Sequence, residues 1–158
     1  MINITIITLG SLKEKYWTEA EAEYLKRLSP FAKVNFLELK EESFDEKTKP
    51  EIIKAKEAEK IIKTLEKKQG YIIALDSRGK DLTSVQLSGH IGKITTEGIS
   101  HIIFVIGGPL GLDDSIIESA DFILSLSNLT FTHQMVRTIL LEQIYRSITI
   151  LNNKKYHY

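Results

Sequence analysis

An α/β fold with a mainly parallel sheet covered on both faces is what this sequence predicts, and three observations predict it. Apolar, β-branched runs alternate with stretches of helical periodicity along the whole chain. Two of those runs, 71–75 and His101–Ile106, show no polar alternation, as in strands buried on both faces. No repeat and no Pro/Gly-rich linker interrupts the 158 residues, so 1–158 reads as a single domain.

Taken in order, Ile2–Leu9 is β-branched and Gly10 ends it, which predicts a strand. Its lack of a basic segment and of a small-residue cleavage site argues against a secretion signal. Tyr16, Trp17, Ala20, Tyr24 and Leu28 recur at helical spacing over 13–28, and Ser29-Pro30 stops that helix. A short strand is expected over 34–39, then a charged mobile surface loop over 40–49. Pro50 suits the first turn of a helix running to about Lys68. A strand over 71–75 leads to a loop over 76–80, and a helix over 83–96 to the strand His101–Ile106. The loop Gly107-Gly108-Pro109-Leu110-Gly111 precedes a short helix over 113–120, with Asp113 and Asp114 at its positive end. A short strand over 122–124, a loop to Thr132 and a helix over 134–150 complete the chain.

That last helix carries Met135, Val136, Ile139, Leu140, Leu141, Ile144, Tyr145, Ile148 and Leu151 around most of its circumference. A surface helix has one apolar stripe. A second copy of the chain is the economical cover, giving a homodimer; burial within the monomer is the other reading.

The chain holds 21 Lys+Arg and 21 Asp+Glu, a balance unlike that of proteins built for naked nucleic acid. The charge is unevenly placed. Residues 98–132 hold Asp113, Asp114, Glu118 and Asp121 without a cation, whereas 133–158 hold Arg137, Arg146, Lys154 and Lys155 against Glu142. The basic end is the one suited to phosphate. The chain has no cysteine, which excludes disulfides, thiolate zinc sites and a cysteine nucleophile and fits a cytoplasmic protein. No apolar run approaches the roughly 20 residues of a membrane span. The four histidines lack metal-ligand spacing, so no metal is expected.

Open α/β sheets bind ligands beyond the carboxyl ends of their strands. Three loops leave such ends, after Leu75, Ile106 and Leu124. The glycines of the second permit close approach of backbone to a ligand, although the loop is not a dinucleotide fingerprint and a plain tight turn explains it as well. The third offers backbone donors, small hydroxyls and apolar contacts of the kind an adenosine pocket needs; a strand followed by a helix cap is its plainer reading. The tail, with Lys154, Lys155, Tyr156, His157 and Tyr158, combines cations and rings that could meet RNA, or is a frayed end. Glu142 and Arg146 are spaced for an ion pair on one helix face.

Taken together, Phe104-Val-Ile-Gly-Gly-Pro-Leu-Gly111, Leu124-Ser-Leu-Ser-Asn-Leu-Thr-Phe131, His133-Gln-Met-Val-Arg137, Glu142-Gln-Ile-Tyr-Arg146 and Tyr156-His157 resemble the ribosomal large-subunit methyltransferase H family of the SPOUT superfamily. Ile4 to Leu9, Leu12 to Trp17 and Leu75-Asp76-x-x-Gly79-Lys80 fit as well, so the resemblance spans nearly the whole chain. It implies a C-terminal trefoil knot, a homodimer, and S-adenosylmethionine (SAM) as methyl donor. It implies SAM contacts at Leu75, Gly107, Leu126, Ser127, Asn128, Leu129, Thr130 and Phe131. The substrate it implies is N3 of a pseudouridine in helix 69 of 23S rRNA, within the assembled 70S ribosome. His133, Arg137, Arg146, Tyr156 and His157 become candidates for RNA contact or catalytic assistance, with the tail completing the partner subunit's site. Thr132 stands where the family often has proline, and the chain ends His157-Tyr158 where a final basic residue is expected. Two further readings compete: an enzyme of this fold acting on another RNA such as tRNA, and a non-catalytic ribosome-binding factor. A nucleotide-binding regulator lacks its phosphate motif.

Overall fold

Five strands and five helices alternate in the protein, seen here in a computed structural model that describes every residue except Lys155, His157 and Tyr158. The elements are β1 (Ile2–Leu9), α1 (Lys15–Leu28), β2 (Ala32–Leu39), α2 (Pro50–Leu65), β3 (Tyr71–Asp81), α3 (Ser84–Thr96), β4 (His101–Ile106), α4 (Asp114–Ser119), β5 (Phe122–Ser125) and α5 (His133–Leu151). The strands form one sheet in the order β2-β1-β4-β3-β5, and every neighbouring pair is parallel. The predicted class is thus the observed one.

Alternation along the central strands sorts the core into two layers. Ile4, Ile6, Ile102, Phe104 and Ile106 point to the face covered by α1, α3 and α5, where Leu28, Leu87, Ile91, Leu140, Leu141 and Ile144 meet them. Ile7, Leu9, Ile103 and Val105 point to the other face, under Ala58 and Ile61 of α2 and Ile116 of α4. Each fully buried aliphatic or aromatic side chain contributes about 1.5–3 kcal/mol over its exposed state. The uninterrupted apolar sequence of β4 follows from this, since both of its faces are covered.

Local chemistry sets the helix ends. Thr83 and Gln86 form a reciprocal capping box at α3, and the Asp113 carboxylate accepts the Ser115 N–H at α4. At α5 the Thr132 hydroxyl accepts the Met135 N–H at 3.3 Å.

One sequence expectation changes. The segment 76–80, expected as a loop, lies inside the span of β3, which pairs with β5 both before and after it. Leu75 and Lys80 both face Leu124, so the intervening residues are extruded. Gly79 makes that re-entry possible, because a Cβ there would stand 2.5 Å from the Ile123 carbonyl oxygen. Alternation could not show a strand with four residues looped out of it. The segment 40–49 is irregular, as expected of a loop, and hydrogen bonds from Lys60 to the Lys40 carbonyl and from the Glu42 N–H to Glu57 hold its first residues.

Helix α5 lies between α1 and α3 on the sheet. The chain itself buries Arg137, Leu140, Leu141, Ile144, Ser147 and Ile148. Much of the apolar circumference that suggested a second copy is thereby covered within one chain. Met135, Ile139 and Ile150 remain half-buried on the opposite side.

Candidate functional site

The three strand-end loops converge on one cavity of about 670 Å³, within the usual range for small-molecule sites. Its walls are Leu75 of β3 with Asp76 and Ser77 of the extruded segment, the end of β4 and the glycine loop that follows it (Ile106, Gly107, Gly108, Pro109, Gly111), and the segment from Leu126 into α5. Of the expected cofactor contacts, Leu75, Gly107, Leu126, Ser127, Leu129, Thr130 and Phe131 line it. Asn128 does not, and is exposed. The Ser127 hydroxyl turns inward along the chain and accepts the Leu129 N–H at 2.9 Å, which shapes this wall.

Glycine is required where the wall folds back on itself. Gly111 has φ +83°, a conformation that L side chains rarely adopt. A Cβ on Gly107 would meet the Gly111 carbonyl carbon at 3.0 Å and the Leu112 side chain at 3.1 Å. The Gly111 N–H donates to the Gly108 carbonyl at 3.0 Å and closes the loop.

Among the polar lining residues, Asp76 and His133 are the titratable ones. Burial alone would raise the Asp76 carboxyl, but the Arg78 side chain and backbone donate to it and hold it below the usual carboxylate range. Arg78 also donates to Asp114 at 2.8 Å, joining the extruded segment of β3 to the start of α4. Both partners are largely exposed, so the bridge adds about 0–1 kcal/mol, and its effect is to fix the position of Asp76. Thr132, His133, Gln134 and Val136 also line the cavity, at the N-terminus of α5, where backbone N–H groups favour negative charge.

The candidates for RNA contact fall into separate places. His133 is half-buried on the cavity rim. Arg137, one helical turn on, is 3% exposed and donates to both oxygens of Glu21 at 2.7 and 2.9 Å and to Glu38 at 2.8 Å, while lying over the Phe36 ring. Its guanidinium is therefore committed to carboxylates of α1 and β2 within this chain. Helical periodicity gives the angle between His133 and Arg137 but not which carboxylates wait on the neighbouring elements.

Arg146 makes the expected pair with Glu142, at 2.9 Å from its Nε, and sits 4.9 Å from the ring centre of Tyr156. Tyr156 in turn packs edge-on against Tyr145. Burial, then Tyr156, pushes the nearby Tyr24 hydroxyl up. Arg146 is thirteen residues beyond His133, about 20 Å along the helix, so this tail cluster stands apart from the cavity of its own chain. His157 lies outside the described residues. Among the described residues no group of three metal-ligating side chains occurs, and no helix is long and apolar enough to cross a membrane.

Further lining residues lay beside the expected contacts and could have been read from that adjacency, among them Asp76 and Ser77, which directly follow Leu75, and Gln134, which follows His133. Behind the wall lies Glu57 of α2, 3% exposed, its carboxyl pushed up by burial. Its spacing of four from both Ile53 and Ile61 had put it on the buried stripe of that helix.

Comparisons with known proteins agree with this architecture. Residues 2–157 match the family described as predicted SPOUT methyltransferase. Ribosomal RNA large subunit methyltransferase H of Finegoldia magna is 48% identical, with 99% of each chain covered. Its namesake from Desulforamulus reducens is 44% identical at the same coverage, and that from Bifidobacterium adolescentis 45%. Among solved structures, a "probable methylase family protein" from Haemophilus influenzae superposes with a TM-score of 0.58 at 15% identity, over 99% of this chain and 70% of that one. A second, from Neisseria gonorrhoeae, gives 0.52 at 12% identity over 91% and 82%. These two likenesses establish the fold.

Proposed function

Because the chain belongs to the ribosomal RNA large subunit methyltransferase H family of SPOUT methyltransferases, we propose that it methylates 23S rRNA from SAM, at N3 of a pseudouridine in helix 69 of the assembled ribosome. One observation carries this reading: the extruded segment of β3 and the loops after β4 and β5 meet in a single cavity lined by all the expected cofactor contacts except Asn128.

The residues present suit that cofactor. Leu75, Ile106, Leu126, Leu129 and Phe131 give apolar walls for a nucleoside, and the glycine loop lets backbone groups come close. Asp76, held ionised by Arg78, suits a hydroxylated or cationic portion of the ligand, and the N-terminus of α5 suits a carboxylate. When bound, SAM supplies an electrophilic methyl group. The chain's own contribution is to hold that group in line with the ring nitrogen and to exclude water. Transfer makes an N–C bond, breaks an S–C bond and releases the proton of N3. His133 and Asp76 are the titratable side chains lining the cavity among the described residues. Asp76 is already occupied by Arg78, which leaves His133 to steady the charge that develops on the base.

The same proposal includes the trefoil knot and a homodimer working in the cytoplasm. In its favour, the apolar outer side of α5 at Met135, Ile139 and Ile150 remains part-exposed, and Arg146 and Tyr156 stand too far from their own cavity to act there. A second copy would bring one chain's tail to the other's cavity. The test is transfer of radiolabelled methyl from SAM to 70S ribosomes lacking the modification, with naked 23S rRNA and tRNA alongside. Label on the ribosomal pseudouridine is expected. Label only on another RNA, or SAM binding without any transfer, would move the substrate, and neither transfer nor SAM binding would favour a ribosome-binding factor.

A further inference from the structure

Glu57 is a buried carboxylate that the chemistry above does not use. It projects from α2 against two loops at once. Its Oε1 accepts the backbone N–H of Glu42 at 3.1 Å. On its other side is Gly108, where a Cβ would stand 3.3 Å from Glu57 Oε2 and 3.5 Å from Oε1. Gly108 lines the cavity, so the glycine wall is one residue thick at this point, with the carboxylate directly behind it. Lys60, one turn along α2, strengthens the same junction by pairing with Glu42 and donating to the Lys40 carbonyl at 2.7 Å. A buried carboxylate without a direct cation partner is costly in a fold that could have placed an apolar side chain there. Its retention calls for a role that an apolar residue cannot fill.

We propose that Glu57 is a positioning residue for the cofactor cavity, buttressing Gly108 from behind while anchoring the 40–49 loop through the Glu42 N–H. The inference rests on SAM occupying the cavity. A glutamine would keep both the volume and the acceptor oxygen. An alanine would leave the Glu42 N–H unpaired and a gap behind Gly108, and an aspartate, one methylene shorter, would reach only one of the two loops.

The experiment is calorimetric titration of SAM into the wild type, Glu57→Gln, Glu57→Ala and Glu57→Asp, each first checked for folding by its thermal midpoint. Glu57→Gln should bind within about twofold of wild type and Glu57→Ala about tenfold more weakly, a loss of the size expected when a buried hydrogen bond is broken. Should Glu57→Ala not fold, Glu57→Asp carries the same expectation of weakened binding. Wild-type affinity in the folded alanine or aspartate variant, or equal losses in the glutamine and alanine variants, overturns the inference. No SAM binding by the wild type would instead remove the reading on which it rests.

Discussion

Arg137 shows what a single residue's surroundings decide. A guanidinium offers planar, bidentate donors, and here both oxygens of Glu21 take two of them while Glu38 takes a third. The cation thereby joins α5 to α1 and β2 at the end of the sheet where the cavity opens. Replacing it leaves Glu21 nearly buried without a partner. Arg137→Met should cost roughly 3 kcal/mol of unfolding free energy, read as a lowered urea midpoint at neutral pH, and SAM affinity of the folded fraction should change little. A variant with wild-type stability would show that the clamp is not what holds these elements. Nothing in the sequence near Arg137 announces this role, since Glu21 and Glu38 lie 116 and 99 residues away. The Glu142–Arg146 pair, four residues apart on one helix, was legible for the opposite reason.

At the scale of the element, α5 ties the cavity rim to the core, and its first turn depends on Thr132. The backbone there, φ −63° and ψ 145°, is one that proline also adopts. Threonine adds a hydroxyl cap that proline lacks, whereas proline restricts the unfolded chain. Thr132→Ala should lose about 1 kcal/mol, and Thr132→Pro should regain most of that loss through its entropic gain of roughly 0.4–1 kcal/mol. Thermal melts of the two variants check the order; a proline variant less stable than the alanine one would contradict it. The family's preference for proline at this place and the threonine found here are then two solutions to one local requirement. Helix and strand types were readable throughout because periodicity reports burial directly. The extruded segment of β3 was not, because its pairing is decided by the approach of β5 at Gly79 and not by its own pattern.

For the whole molecule, strand-end loops far apart in sequence come together only through the parallel order of the sheet. The rule that ligands bind at carboxyl ends of strands was enough to pick out these loops, and the resemblance supplied the residues within them. It also implied that the tail completes the partner's site, and the fold adds the distance, with Arg146 and Tyr156 split from His133 at the cavity by about 20 Å along the helix. That split makes a clear expectation for the assembly. His133→Ala and Tyr156→Ala proteins should each transfer methyl poorly, on the order of 10²-fold below wild type. Mixed and allowed to exchange subunits, they should recover about a quarter of the wild-type rate under the proposed homodimer, in which each site takes His133 from one chain and Tyr156 from the other and a mixed dimer keeps one intact site. No recovery in a mixture shown by mass to contain mixed dimers would place both groups in one chain's site. A different consequence follows from the way residues 76–79 leave and rejoin β5. Both feet of this arch stand on Leu124, and Gly79 passes too close to Ile123 for any bulkier residue. The two feet of the arch are therefore fixed while its tip at Ser77 and Arg78 is exposed, so over evolutionary time this side of the cavity can diversify at the tip but not where it joins the sheet.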